Sequence, residues 1–289
     1  MIRHIAPPGA AGMELSRYLR RAWPLLPDYA LREILKRRDV RVDGARAGKG
    51  AVLRGGETLE IFGNPRHFAP EAQVLFDDGR LIAAVKPQGL PALPDQDGVG
   101  ADTMQARLER LHPAARLCHR LDAATGGVML AAADANVEAQ LLAAFRAHAL
   151  RKRYRAVLCG EMPRGEREYR AYLLKDARRA QVRVLDRPAP GAKEIVTRMR
   201  ALSRAGDGLF YADLEPVTGR THQLRAHMAH LNYPLLGDDR YGAREINKRE
   251  GFAGRLCLWC AEMFLPEGCG VSGYEGMRFG AEPPEWFKR

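Results

Sequence analysis

The sequence predicts an α/β protein of the α+β type, with a long mixed, mainly antiparallel central sheet in a large domain and a small α+β module ahead of it. Three observations carry this. Within the first sixty residues, apolar positions recur at helical spacing and then at strand spacing. Gly63, Asn64-Pro65 and Ala69-Pro70 then interrupt both periods, as a linker does. From residue 72 onward strand-like runs dominate, joined by short turns of the kind antiparallel neighbours use. The expected division is a module at 13–62, a linker at 63–71 and a large domain at 72–289.

In the module, Leu15, Tyr18, Leu19 and Ala22 share one helix face, and after the Pro24 to Pro27 break a second helix starts near Asp28 with Leu31, Ile34 and Leu35 inward. Residues 40–44 then alternate and end in an Asp-Gly turn, and residues 57–62 alternate again, so a short hairpin-like sheet follows the helices. In the large domain, residues 74–76 and 81–86 flank Asp77-Asp78-Gly79 and read as a hairpin whose second strand is buried on both faces. A loop at 87–100 and a short helix at 104–111 follow. A strand at 128–132 leads to a helix capped by Asp134 or Asn136, with Val137, Leu141, Leu142 and Phe145 on its apolar face. Strands are expected at 154–159, 168–174, 181–185, 195–202 and 209–215. Thr221 is the expected N-cap of a helix carrying Leu224, Met228 and Leu231, and residues 255–264 form a last strand before a packed tail.

At 289 residues and 46% hydrophobic content the chain can bury a full core, and a formal charge of +11 favours a polyanionic partner, nucleic acid or an acidic membrane surface. No stretch approaches the roughly 20 apolar residues of a spanning helix, and residues 1–11 lack the apolar core of a signal peptide, so no membrane association and a cytoplasmic location are expected. Five scattered cysteines make no disulfide framework. Cys257 and Cys260 form a lone Cys-x-x-Cys in a strand-like run, where a spacing of three points them to opposite faces, so no metal site is expected. His222, His227 and His230 lack the spacing and carboxylate partner of a metal site as well. Residues 1–64 hold 12 Lys and Arg against 7 Asp and Glu, a net +5, with Arg32, Lys36, Arg37, Arg38 and Arg41 gathered where helix hands over to strand.

His119-Arg120-Leu121-Asp122, followed by Thr125-Gly126-Gly127 and an apolar run, places an acid in a loop at the mouth of a buried strand. Asp122 is either a turn cap or a nucleophile. Two further stretches weigh on that choice: Lys152 with Tyr154, Ala156 and Gly160, and Gly219-Arg220-Thr221-His222-Gln223-Leu224-Arg225 with His227, Pro234, Gly237-Asp238 and Tyr241-Gly242. With a weaker Lys86-Pro87-Gln88-Gly89-Leu90 match, these stretches resemble the RluA-type pseudouridine synthases in order and spacing through most of 72–262. Three positions depart from that pattern. Ala123 stands where the family usually has a basic residue, Gly126 where it has Ser, and Trp259 in Leu258-Trp259-Cys260-Ala261 where it often shows Leu-His-Ala.

The resemblance implies a pseudouridine synthase fold and an isomerase that needs no cofactor. It assigns catalysis to Asp122 as nucleophile, Arg220 as the guanidinium that orients it, and Tyr154 as the ring that stacks on the base and helps remove the proton from carbon five. Lys152, His222, Gln223 and Arg225 would contact substrate, and Arg120 would help flip the uridine or clamp phosphates. The module resembles the RNA-binding domain of ribosomal protein S-four, expected to grip the phosphates of structured RNA and to set affinity rather than chemistry. Structured ribosomal RNA of the large subunit is the expected partner, with transfer RNA open and a monomer the default. The competing readings are a non-catalytic RNA-binding assembly factor and a glycosidase, and the latter needs a matched pair of acids where this sequence offers one.

Overall fold

The computed structural model describes residues 1–68, 71–176 and 181–287. Two sheets organise the chain. The smaller has the order Ile2–Ile5, Thr58–Ile61, Val40–Val42, Ala45–Arg46, all antiparallel. Helices Leu15–Ala22 and Asp28–Arg37 cover it, and Leu15, Tyr18, Leu19, Leu31, Ile34, Leu59 and Ile61 form its core. Its edge strand Ile2–Ile5 lies upstream of residue 13, where the sequence signal for the module began, because Ile-Arg-His-Ile is short and shows no apolar alternation to read. In the expected linker, Pro65–Phe68 forms a helical turn whose Phe68 is buried and accepts from Trp23 Nε1 at 3.0 Å; Ala69 and Pro70 lie outside the described residues.

The larger sheet has eleven strands, mixed and mainly antiparallel as expected. Its path runs Gln181–Leu185, Glu166–Asp176, Lys193–Gly206, Leu209–Pro216, Arg151–Cys159, Leu258–Phe264, Gly126–Ala132, Leu81–Lys86, Gln73–Asp77. Among the described residues the one parallel pair joins Leu258–Phe264 to Gly126–Ala132. The last strand is thus inserted between Arg151–Cys159 and Gly126–Ala132, with Cys260 opposite Tyr154 on one side and Gly127 on the other. This insertion brings the Asp122 loop and Tyr154 to one end of the sheet. It also demands glycine, since Gly127 sits at φ 118 and a Cβ there would lie 2.2 Å from the Cys260 carbonyl oxygen.

Leu81–Lys86 and Gly126–Ala132 are buried at every residue, which explains their unbroken apolar runs. Cys257 and Cys260 pack into different cores on the two faces of the sheet. Helix Ala135–Arg146 is capped by Asp134, whose carboxylate accepts from the Asn136 and Val137 amides. Among the described residues no helix is long and apolar enough to cross a membrane.

Candidate active site

Three side chains, Lys86 fully buried and His119 and Gln88 half-buried, fix the backbone that carries Asp122. His119 Nε2 accepts from the Leu130 amide at 3.0 Å, and burial pushes this imidazole down to about 3, which keeps it neutral and able to accept. Lys86, fully buried at the end of its strand, donates to the carbonyls of Leu90 at 2.6 Å and of Pro87 and Ala123 at 3.2 Å. Gln88 Nε2 donates to the Ala124 and Leu256 carbonyls, each at 2.6 Å. With its neighbours held, the Asp122 side chain, 30% exposed, makes no turn-capping bond among the described residues and faces the helix Gln223–His230.

The guanidinium that meets it is Arg225 and not Arg220. Arg225 Nη1 lies 3.4 Å from Asp122 Oδ2, while its Nε and Nη2 grip both oxygens of the fully buried Asp238 at 2.8 and 2.9 Å. This fork fixes the direction of the third nitrogen, and the Tyr241 ring, 5.4 Å away, backs the guanidinium. Arg225, expected on the RNA, is thereby turned inward. His222 completes the cluster, with Nε2 at 3.6 Å from Asp122 Oδ2 and Nδ1 at 2.9 Å from the Tyr241 hydroxyl. Its pKa is lowered by burial, against the pull of Asp122.

The cause of the exchange is local. The expected N-cap at Thr221 does not form, and the helix begins at Gln223 after His222 in a left-handed conformation, φ 53. Gln223 Oε1 instead accepts from the Thr218 hydroxyl at 2.8 Å and the Arg220 amide at 3.1 Å, and its Nε2 donates to the Val196 carbonyl at 3.0 Å. Gln223 is therefore a buried brace for the turn rather than an RNA contact, and Arg220 is left exposed at the rim.

These groups line a cleft of about 550 Å³ that also takes in Arg120, Lys152, Tyr154 and residues 91–94. Tyr154 is buried at its wall; burial, the Cys260 thiol and Asp122 hold its pKa well above the ordinary value, so the phenol is neutral. Lys152 is lowered mainly by burial. A second hollow of about 290 Å³ on the far side of Lys152 is rich in arginine, but Arg151, Arg153, Arg198, Arg200 and Arg278 are all paired with acids. Arg32, Lys36, Arg37, Arg38 and Arg41 are exposed on the module, away from this cleft.

Sequence reasoning gave no role to Lys86, Gln88, Asp238 or Tyr241. For Lys86 the signal was present, as a lysine closing a run otherwise apolar enough to be buried on both faces.

The family model of RNA pseudouridylate synthase matches residues 80–230, which include Lys86, Asp122, Tyr154 and Arg225. A Xanthomonas campestris ribosomal large subunit pseudouridine synthase D is 32% identical, over 82% of this chain and 74% of its own. A Vibrio cholerae dual-specificity RNA pseudouridine synthase RluA is 34% identical, over 67% of this chain and 77% of its own. Among solved structures, human RNA pseudouridylate synthase domain containing 4 superposes with a TM-score of 0.58 at 25% identity, over 74% of this chain and 90% of that one. The chain belongs to the RluA-type RNA pseudouridine synthases, isomerases that act on RNA.

Proposed function

We propose that this chain converts uridine to pseudouridine in large-subunit ribosomal RNA, with Asp122 as the nucleophile. The observation that carries the reading is the carboxylate of Asp122 at the floor of the cleft, aimed by a guanidinium that Asp238 holds from behind. The reaction breaks the bond from ribose to the base nitrogen and forms one from ribose to carbon five. The proton that leaves carbon five is balanced by one gained at the freed nitrogen, so a single well-held carboxylate can serve as attacking group without redox chemistry. Asp122 attacks the sugar or the base, Arg225 holds its carboxylate in direction, and Tyr154 offers a flat neutral ring for the detached base to turn against. Arg120 and Arg220, both exposed at the rim, engage the phosphates or the space vacated by the flipped uridine.

The N-terminal module, read as S-four-like, grips backbone phosphates of the same RNA. Arg37 is paired with Glu33 at 2.8 Å and Arg41 lies over the Phe62 ring, whereas Arg32, Lys36 and Arg38 make no ion pair within 4.0 Å among the described residues. The ribosomal reading draws on the similarity to the Xanthomonas ribosomal large subunit pseudouridine synthase D. Position-resolved pseudouridine mapping of total RNA from cells lacking the gene tests it. Loss of one or more ribosomal sites, restored by the wild-type chain and not by Asp122→Ala, is expected. Restoration by Asp122→Ala would remove the nucleophile assignment, and loss confined to transfer RNA would move the substrate.

A further inference from the structure

We propose that the tip Pro91-Ala92-Leu93-Pro94 is a preformed apolar wedge that packs against the RNA bases flanking the target uridine, with Leu93 as its contact residue. The proposal rests on the reading of the Asp122 cleft as a site that takes a uridine out of folded RNA. All four residues line that cleft. Leu93 is 40% exposed while its neighbours Leu90 and Ala92 are buried. A lone exposed leucine is ordinary on a protein surface. Its mounting is what distinguishes this one.

The tip is anchored on both sides. Upstream, Lys86 grips the Leu90 carbonyl at 2.6 Å. The Pro91 and Ala92 carbonyls accept from the Met104 and Gln105 amides at 2.9 and 3.0 Å, at the start of the helix Met104–Leu111. Downstream, Asp95 accepts from the amides of Asp97 and Val99, and Arg21 of the N-terminal module reaches Asp95 and Asp97, each at 2.6 Å. Val99 is buried in the core of that module, and the Ala101 and Asp102 amides both donate to the Ala22 carbonyl. The module is therefore a mount for the cleft wall as well as a charged surface, which revises the expectation that it sets affinity alone.

The tip can read little by hydrogen bonding, because Pro91 and Pro94 have no N–H and two of the four carbonyls are committed to the helix. It can present shape and apolar surface. An extruded base leaves a gap in its stack, and a stiff apolar side chain beside the cleft fills such a gap at little entropic cost. Leu93 is suited to that in position, chemistry and rigidity.

The test uses the full chain with Leu93→Ala and Leu93→Met. Two RNAs carry the target found by mapping and tritium at carbon five of uridine: the folded transcript, and a single-stranded oligonucleotide with the same local sequence. For Leu93→Ala the ratio of kcat/KM on folded over single-stranded RNA is expected to fall about fivefold, the low end of what even a stacked aromatic side chain contributes per base. Leu93→Met should restore the ratio. An unchanged ratio, whether both RNAs lose rate equally or neither does, overturns the wedge. Absence of tritium release by the wild-type chain overturns instead the reading of the site on which the wedge rests.

Discussion

Gly126 and Trp259, two of the three departures from the family pattern, are one packing decision, and a double-mutant cycle can show it. A Cβ on Gly126 would lie 2.3 Å from Trp259 Cζ3 and 2.7 Å from Cε3, with the Gln88 amide nitrogen at 3.2 Å. The indole cannot swing away cheaply, since it is 6% exposed, packed in a core with Val85 and Phe287, and its Nε1 donates to the Ala281 carbonyl at 2.9 Å. Gly126→Ser alone should therefore sit at the upper end of overpacking costs, about 3 kcal/mol. Trp259→His alone leaves a cavity and should cost about 3 kcal/mol. The colliding atoms belong to the six-membered ring, which histidine lacks. The double variant should then be about 2 kcal/mol more stable than the sum of the single losses predicts. Urea unfolding followed by circular dichroism of the four proteins measures this. Additivity within about 0.5 kcal/mol would refute the claim that the tryptophan is what excludes serine.

Arg225→Met should abolish most activity and cost about 3–5 kcal/mol of stability, because it leaves the buried Asp238 carboxylate unpaired; Arg225→Met with Asp238→Leu should regain stability in urea unfolding and no activity. Burial pushes the Lys86 ammonium down to about 7 from an ordinary value of 10.5. The unfolded chain then binds more protons between those two values, so stability rises with pH across that window, and wild type should gain about 2 kcal/mol on Lys86→Met between pH 7 and 9; an unchanged difference would mean the three carbonyls hold the lysine fully charged. Replacing Arg32, Lys36 and Arg38 together by Ala should weaken RNA binding and flatten the slope of log affinity against log salt by roughly two to three, and a slope equal to wild type in a filter-binding series would remove phosphates from their role. Arg120→Ala should lose more rate on structured RNA than on an unpaired loop, checked by tritium release from both.

The fold was legible wherever a period ran long enough to be counted. The buried hairpin strand Leu81–Lys86 and the helix Ala135–Arg146 with its Asp134 cap stand where their patterns put them, and the strand expected at 154–159 is present and begins three residues earlier, at Arg151. Ile2–Ile5 and Arg278–Gly280 were too short to show a period, and their partners, Thr58–Ile61 and Leu258–Phe264, lie far away in sequence or across turns without a signature. The motifs marked which residues gather at the cleft, but not which of them touch. Arg220 and Arg225 stand five apart in one motif, and a helix capped by Thr221 would have made either a fair partner for Asp122. The decision was taken by Gln223, whose side chain folds back onto Thr218 and the Arg220 amide and starts the helix at Gln223. That choice sends Arg220 to solvent and turns Arg225 beneath the carboxylate, where Asp238, supplied from beyond the helix, locks it. A pairing set by one side chain's hydrogen bonds and by a residue 116 positions from Asp122 leaves no local trace in sequence. It is also why Arg225 rather than Arg220 is the residue whose loss should disable the proposed nucleophile Asp122.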